Sequence, residues 1–417
     1  MSALEAGPRE HVPVRRSALR RLWQRLPQTT RSQILFDVSR MVAPLPDANP
    51  PGGFPLAIAG LFSTASGVGE GARLAYASLE AAGYAPAAFD LSPAFGQVEL
   101  REAAERRALV PGAGSLIVHH NGPYLPHALW TLGRAQVRGR RIIGYWAWEL
   151  PKLPDAWHPS FRYLHEVWVP SSFTRDAVAA ATAKPVHVVP HPLPPMAATP
   201  NMRGKLGLPA DALVVLNVFH LGSAFSRKNP LAAIAAFRKA FGDARDRVLA
   251  IKVIDNGAQW ARRELDKAIA GASNIRLIEG MLPEADMAGL MASADIVISL
   301  HRSEGFGLVP AQAMALGKPV IATGWSANVD FMNAGNSALV SYTLIPVRDP
   351  EGAFDADDQK WADANVEEAA QWLRRLAADA ELRARMGAAA AKDVAAQLSP
   401  KHFAGAVAAL IEDKDRR

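Results

Sequence analysis

Short apolar runs of strand length recur along this chain, and segments with helical spacing separate many of them. Pro55–Phe62, Ala87–Leu91, Ser115–His119, Arg141–Trp148, Glu166–Val169 and Val186–Val189 read as strands, and Glu70–Ala82, stopping at Gly83, reads as the first helix between them. Strands that are apolar on both faces and alternate with helices form parallel sheets covered on both sides. The pattern breaks at Pro190–Pro200, whose prolines can continue neither kind of element, and restarts at Ala212–Phe219. Strands at Arg247–Ile254, Ile275–Glu279, Asp295–Leu300 and Pro319–Thr323 follow, separated by helices at Pro230–Phe241, Gln259–Ala270, Glu284–Ala292 and Gly307–Leu316. Helices at Val366–Ala378, Ala380–Gln397 and Pro400–Asp413 close the pattern. The expected class is α/β, with two doubly wound Rossmann-like domains at residues 54–200 and 201–395. They face each other across a cleft at the carboxyl ends of their strands.

A length of 417 residues suits two cores of ordinary size. The chain has no cysteine, which excludes disulfides, thiolate nucleophiles and cysteine-bound metals. Its net charge of +6 favours an anionic partner, and most of that surplus is local. Residues 1–50 carry Arg9, Arg15, Arg16, Arg20, Arg21, Arg25, Arg31 and Arg40 against Glu5, Glu10, Asp37 and Asp47. No apolar stretch of signal-peptide length accompanies them, so a cytoplasmic protein is expected. Leu19, Leu22, Leu26, Ile34, Leu35 and Val38 interleave with the arginines in a basic amphipathic pattern. Either this segment lies on an anionic membrane surface, peripherally on its inner face, or it packs on its own domain with a solvated basic side. Pro-rich Ala43–Pro55 leads into the first domain, which sets residues 1–53 apart as basic segment and linker. No nucleic-acid partner is expected.

Three loops carry candidate chemistry. Ser66-Gly67-Val68-Gly69-Glu70-Gly71-Ala72 joins a strand to a helix, and its glycines let backbone N–H groups approach a phosphate or sugar. The same residues fit a G-x-G-x-x-A dinucleotide fingerprint with Asp90 downstream, although Ser63–Ser66 lengthens the turn; a plain tight turn is the third alternative. Ser226-Arg227-Lys228-Asn229-Pro230 places two cations where they can neutralise a diphosphate. In the third, Leu300–Thr323, a strand ends at Glu304, Gly305 and Gly307 flank Phe306, and a helix begins. A carboxylate for hydroxyls beside a helix start for phosphates suits a nucleotide sugar.

Leu300–Thr323 resembles the signature of the retaining glycosyltransferases of family 4, which have the GT-B fold. The glycine loop, the Arg227-Lys228 loop and Gly280-Met281-Leu282 stand in register with it. The resemblance implies that Glu304 binds donor-sugar hydroxyls and that Gly305, Phe306, Gly307 and Leu308 offer N–H groups to sugar and diphosphate. It implies that Arg227 and Lys228 hold the diphosphate and stabilise the leaving group, with Gly67 and Gly69 on the donor side. Backbone near Met281 would meet the base. It further implies a last helix, 396–417, that returns to the first domain. Two positions depart from the family's pattern: Gln312 stands where a second glutamate usually binds the ribose, and Ser223 where an arginine precedes the lysine, so Arg227 substitutes for it.

In the first domain His119-His120-Asn121 ends a strand, where the family often places a histidine near the reacting sugar; strand alternation lets at most one of the pair face the donor. Trp146, Trp148 and Glu149 either line an acceptor pocket with Asn121 or, for the tryptophans, fill the core. Asp355-Ala356-Asp357 looks like a metal-binding D-x-D but lies in a Pro/Gly/Asp-rich stretch and reads as solvated loop. No metal and no cofactor beyond the nucleotide sugar are expected. The function expected is transfer of a glucose- or mannose-type hexose from a UDP- or GDP-sugar to a hydroxyl of a glycan or lipid-linked glycan, with retention. An inactive nucleotide-sugar-binding partner subunit and an NAD-dependent oxidoreductase are the alternatives.

Overall fold

The structure, a computed structural model, describes residues 28–100, 106–255, 257–354 and 358–412. The Asp355-Ala356-Asp357 triplet and the part of the basic segment holding Arg9 to Arg25 lie outside these residues. Helix α1 (Gln28–Val42) leads to a six-stranded sheet of β1 (Leu56–Gly60), β2 (Ala87–Asp90), β3 (Gly114–His119), β4 (Arg140–Tyr145), β5 (Glu166–Val169) and β6 (Val186–Val188). The strands are parallel and ordered β2-β1-β3-β4-β5-β6. Helices α2 (Gly67–Ala81), α3 (Leu125–Leu132) and α4 (Ser172–Ala179) are among those that cover it. β1 reads Leu-Ala-Ile-Ala-Gly and is buried along its whole length, as a central strand with helices on both faces must be.

The second sheet contains β7 (Leu213–His220), β8 (Arg247–Ile254), β9 (Ile275–Glu279), β10 (Ile296–Ser299), β11 (Val320–Thr323) and β12 (Ala338–Val340), ordered β12-β11-β10-β7-β8-β9 and again parallel. Around it stand α5 (Pro230–Phe241), α6 (Gln259–Ile269), α7 (Glu284–Ser293), α8 (Leu308–Ala315), α9 (Val366–Ala378) and α10 (Ala380–Gln397). Strand alternation divides β8 between two cores. Leu249, Ile251 and Val253 join one with α5 and α9, while Val248 and Ala250 join the other with α7 and α8. Each fully buried aliphatic side chain contributes about 1.5–3 kcal/mol, so both faces of the strand hold the sheet between its helices.

Helix α11 (Pro400–Glu412) does not stay with the second domain. Its Phe403, Ala404, Val407 and Ile411 pack with Leu56, Ile58, Tyr76 and Leu79 of the first, and Arg141, paired with buried Glu166, donates to the Leu410 carbonyl at 3.2 Å. The sequence pattern misses α3, α4, the strand β12 and one hairpin. That hairpin is antiparallel, made of β13 (Tyr342–Pro346) and β14 (Lys360–Ala364), and is anchored by fully buried Trp361. Pro346 and the Pro/Gly-rich turn hide its alternation.

Candidate active site

In a doubly wound sheet, ligands sit where neighbouring strands send their connections to opposite faces. In the first sheet that point lies between β1 and β3, in the second between β7 and β10. The loops leaving these four strands hold the glycine-rich turn, the histidine pair, the cation turn and the Glu304 loop.

Glu304 follows β10 and is 8% exposed. Its Oε1 meets Lys228 Nζ at 2.5 Å and its Oε2 meets Arg227 Nη1 at 3.2 Å. The loop is held from behind: the Glu304 N–H donates to Ser326 Oγ at 2.8 Å, and His301 Nε2 contacts Asn328 Oδ1 at 3.0 Å. Burial alone would raise the Glu304 carboxyl, but Lys228, Arg227 and His301 outweigh it and bring the group down to about 2. Burial pulls Lys228 below the ordinary lysine value, with Glu304 acting in the opposite direction. Gly307 has φ +95°, a left-handed conformation suited to glycine, and turns the chain into α8.

Arg227 and Lys228 lie on a single helical turn, Phe225–Lys228, between left-handed Ala224 and Asn229. Arg227 is 3% exposed and also donates to Ser303 O at 2.9 Å and Ser223 O at 3.2 Å, and its Nη2 lies 3.8 Å from Glu149 of the first domain. The guanidinium thus rests against Ser223, the position where the resemblance expects another arginine.

The first domain faces this cluster closely. A Cβ on Gly67 would stand 3.9 Å from Leu308 Cδ1, and one on Gly305 would stand 3.2 Å from Trp148 O. Ser171 Oγ donates to Gly305 O at 2.8 Å, which ties α4 to the Glu304 loop. Ser66 caps α2 by accepting from the Gly69 N–H at 3.2 Å, and Gly69 packs on the carbonyls of Leu61 and Thr64, where no side chain fits. Asp90, the acid a dinucleotide fingerprint would set on a ribose, instead accepts from Ser63 Oγ at 2.5 Å and the Ser92 N–H at 2.9 Å.

His119 and His120 diverge, as alternation requires. His119 stacks on Tyr145 at 4.1 Å and His120 on Tyr124 at 4.4 Å, and among the described residues neither Nε2 has a hydrogen-bond partner. Burial drives His119 well below the ordinary histidine value and His120 to about 3, so both rings are neutral at neutral pH. Asn121 Oδ1 accepts from the Ala147 N–H at 2.9 Å, bridging the ends of β3 and β4. Trp148 is buried against Trp157 and donates its indole N–H to Lys152 O at 2.8 Å, so it presents backbone rather than ring to Gly305. Met281 is 44% exposed after β9, and Gln312 is half-buried on the second turn of α8.

The structure adds residues that the sequence reading lacks. His191, in the proline-rich connector, lies 3.3 Å from Tyr145 OH and packs edge-on to Phe306 at 5.0 Å, with burial lowering it to about 3. Gly71 has no room for a Cβ beside that ring. Lys252, a lysine in the otherwise apolar Val248–Ile254 run, is 2% exposed and donates to the carbonyls of Gly280 and Val253. Its placement in an apolar strand was the signal that could have found it. Among the described residues no group of three histidines or carboxylates could hold a metal ion.

Residues 216–361 match the family described as glycosyl transferases group 1. The chain is 30% identical over 170 residues to a D-inositol 3-phosphate glycosyltransferase of Corynebacterium urealyticum, covering 40% of this chain and 39% of that protein. It is 29% identical over 200 residues to the protein of that name from Thermobifida fusca, covering 46% and 41%. The match therefore spans about two fifths of these relatives' length. Anabaena HepE, solved with UDP-glucose, superposes with a TM-score of 0.62 at 15% identity over 86% of this chain and 99% of its own. Sucrose-phosphate synthase from Thermosynechococcus elongatus superposes at 0.64 and 16% identity over 86% and 98%. The chain has the GT-B fold, and within its second domain residues 216–361 match the glycosyl transferases group 1 family.

Proposed function

We propose that this protein is a retaining hexosyltransferase that moves a glucose- or mannose-type unit from a UDP- or GDP-sugar to a hydroxyl of a glycan or lipid-linked glycan, without a metal ion. The observation that carries this is the contact of buried Glu304 with both half-buried Lys228 and buried Arg227 at the entrance to α8, opposite the glycine loop. A diphosphate carries more negative charge than one carboxylate and competes with it for both cations, which frees Glu304 to accept from sugar hydroxyls. The N–H groups of Gly305, Phe306, Gly307 and Leu308 then serve sugar and diphosphate. Backbone at Met281 meets the base and Gln312 the ribose. Gly67 and Gly69 complete the donor side, and neutral His119 or His120 offers an imidazole to the sugar. Asn121, Trp148 and Glu149 bound the acceptor side.

As the bond from the anomeric carbon to the diphosphate oxygen breaks, the acceptor oxygen bonds to that carbon from the same face and passes its proton to the departing diphosphate. Arg227 and Lys228 stabilise the charge that develops on the leaving group. Support for nucleotide-sugar chemistry comes from HepE, whose structure was solved with UDP-glucose, and support for glycosyl transfer from the sequence relatives, which are D-inositol 3-phosphate glycosyltransferases. A thermal-shift panel of UDP- and GDP-sugars with NAD as control tests it. A bound sugar nucleotide at a hundred times its Kd stabilises the fold by about 2.7 kcal/mol. A shift with NAD alone would contradict the assignment.

The basic amphipathic segment we assign to an anionic membrane surface. Helix α1 leaves Ile34, Val38, Met41 and Val42 exposed at helical spacing, and arginines precede it and lie within it in the sequence. Among the described residues no helix is long and apolar enough to cross a membrane. Co-sedimentation with phosphatidylglycerol vesicles, lost on Val38→Asp with Met41→Asp, is the expected result; equal recovery with neutral vesicles would contradict it.

A further inference from the structure

The hairpin of β13 and β14 belongs to the second domain in sequence but grips three parts of the cleft. On the first domain, Gln359 Oε1 accepts from the Lys152 N–H at 2.8 Å, Asp358 pairs with the Lys152 ammonium, and the Phe354 ring lies 5.4 Å from Trp148. On the Glu304 loop, Asp363 Oδ1 accepts from Arg302 Nε at 3.0 Å and Nη2 at 2.9 Å, and the Ala362 N–H donates to Arg302 O at 3.0 Å. On the cation turn, Glu351 Oε2 accepts from the Phe225 N–H at 2.7 Å, and the Arg227 guanidinium carbon lies 5.4 Å from the centre of the Phe354 ring.

The chain between Pro346 and Phe354 is well tied. Asp349 accepts from the N–H groups of Glu351, Ala353 and Phe354 at 3.2, 3.0 and 3.1 Å, and the Val347 N–H donates to Gln359 O at 3.0 Å. Glu351 and Phe354 are therefore set by the hairpin rather than by an unconstrained loop. The turn they meet needs such support. A four-residue helical turn flanked by left-handed residues has too few internal hydrogen bonds to keep its own orientation. A carboxylate on its first N–H fixes it and suits the positive end of its peptide dipoles. An aromatic ring near the guanidinium attracts the cation and displaces water.

We propose that this hairpin is a positioning element for glycosyl transfer: Glu351 orients the turn that carries Arg227 and Lys228, and Phe354 shields the guanidinium while linking it to the first domain through Trp148. This rests on the assignment of Arg227 and Lys228 to the donor diphosphate. Neither Glu351 nor Phe354 touches the reacting atoms. Both act through the two cations. Because Phe225 needs an acceptor rather than a charge, a glutamine at position 351 suffices.

Full-length Glu351→Ala, Glu351→Gln and Phe354→Ala are compared with the wild type in two measurements. Amide hydrogen exchange needs no ligand. Glu351→Ala speeds exchange over Phe225–Asn229 by about tenfold or more, Glu351→Gln restores protection, and α5 is unaffected in both. With donor and acceptor supplied, Phe354→Ala lowers kcat for transfer by about tenfold or more with KM for the nucleotide sugar within about threefold, and a larger share of donor is lost to water. Unchanged exchange in Glu351→Ala, equal loss in both position-351 variants, or wild-type kcat and hydrolysis share in Phe354→Ala would overturn the proposal. If the wild type binds no nucleotide sugar, the assignment of Arg227 and Lys228 fails instead, and the exchange measurement still decides whether Glu351 positions their turn.

Discussion

The ammonium of Lys228 lies 2.5 Å from Oε1 of Glu304, and the pair joins the loops that leave β7 and β10, strands that lie side by side in the sheet. Two charges so placed, with Arg227 completing the cluster, hold each other in the ionised state despite burial. Removing the carboxylate leaves buried Arg227 and half-buried Lys228 without the carboxylate they share. Glu304→Gln is expected to cost about 3 kcal/mol or more of stability and to lower kcat for transfer by about a hundredfold or more. Chemical denaturation and initial rates check this together. A folded variant with near-wild-type turnover would remove Glu304 from the mechanism.

Buried histidines set the acid limb of stability. His120 and His191 have values of about 3 in the folded chain, and burial holds His119 well below the ordinary histidine value. Below about pH 6.5 the unfolded chain binds protons on these rings that the folded chain does not, so stability falls as pH falls, by up to about 1.4 kcal/mol per pH unit for each ring. Unfolding midpoints between pH 7.5 and 5 should show this slope. Replacing His120 with Gln should make it shallower, and an unchanged slope would mean the ring is not buried neutral.

Lys252 acts on the alkaline side. Burial lowers it to about 8, so between roughly pH 8 and 10.5 the unfolded chain retains a proton that the folded chain has released, and stability gains over that window. Lys252→Met should lack this gain. By pinning the Gly280 carbonyl, the ammonium also fixes the Met281 N–H of the same planar peptide in the opposite direction, so the variant should bind the donor nucleotide more weakly. Parallel stability curves for the two proteins would contradict the first point, and equal nucleotide Kd values the second.

Gly305 sets how closely the domains approach. An added Cβ would stand 3.2 Å from Trp148 O and 3.3 Å from Trp148 N, both backbone atoms that cannot swing away. Gly305→Ala should leave each domain folded yet lower kcat/KM by about ten- to a hundredfold, because the two halves of the site no longer meet at their proper distance. Steady-state kinetics with a circular dichroism control decide the matter.

Much of this architecture was legible because apolar strands and helical spacing are local signals. The strands Glu166–Val169, Arg247–Ile254 and Ile275–Glu279 and the helices Pro230–Phe241, Val366–Ala378 and Ala380–Gln397 have the bounds their sequences suggest. Glu304, Arg227 and Lys228 stood out because charge types at strand ends carry chemistry whatever surrounds them. Glu351 and Phe354 did not, since their partners Phe225, Trp148 and Arg227 are distant in sequence and two of the contacts depend on ring faces. Trp148 could be read as pocket or core, and only packing against Trp157 and Phe354 separates the two.

The central claim is tested most directly by nucleotide release. The wild-type protein is incubated with UDP- and GDP-linked hexoses and a panel of glycan and lipid-linked acceptors, and free nucleotide and product anomer are followed by nuclear magnetic resonance. Release of UDP or GDP matched mole for mole by product of the donor's own anomeric configuration is the predicted result. Tight binding of a nucleotide sugar with no acceptor-dependent release would contradict it and mark the chain as an inactive nucleotide-sugar-binding subunit.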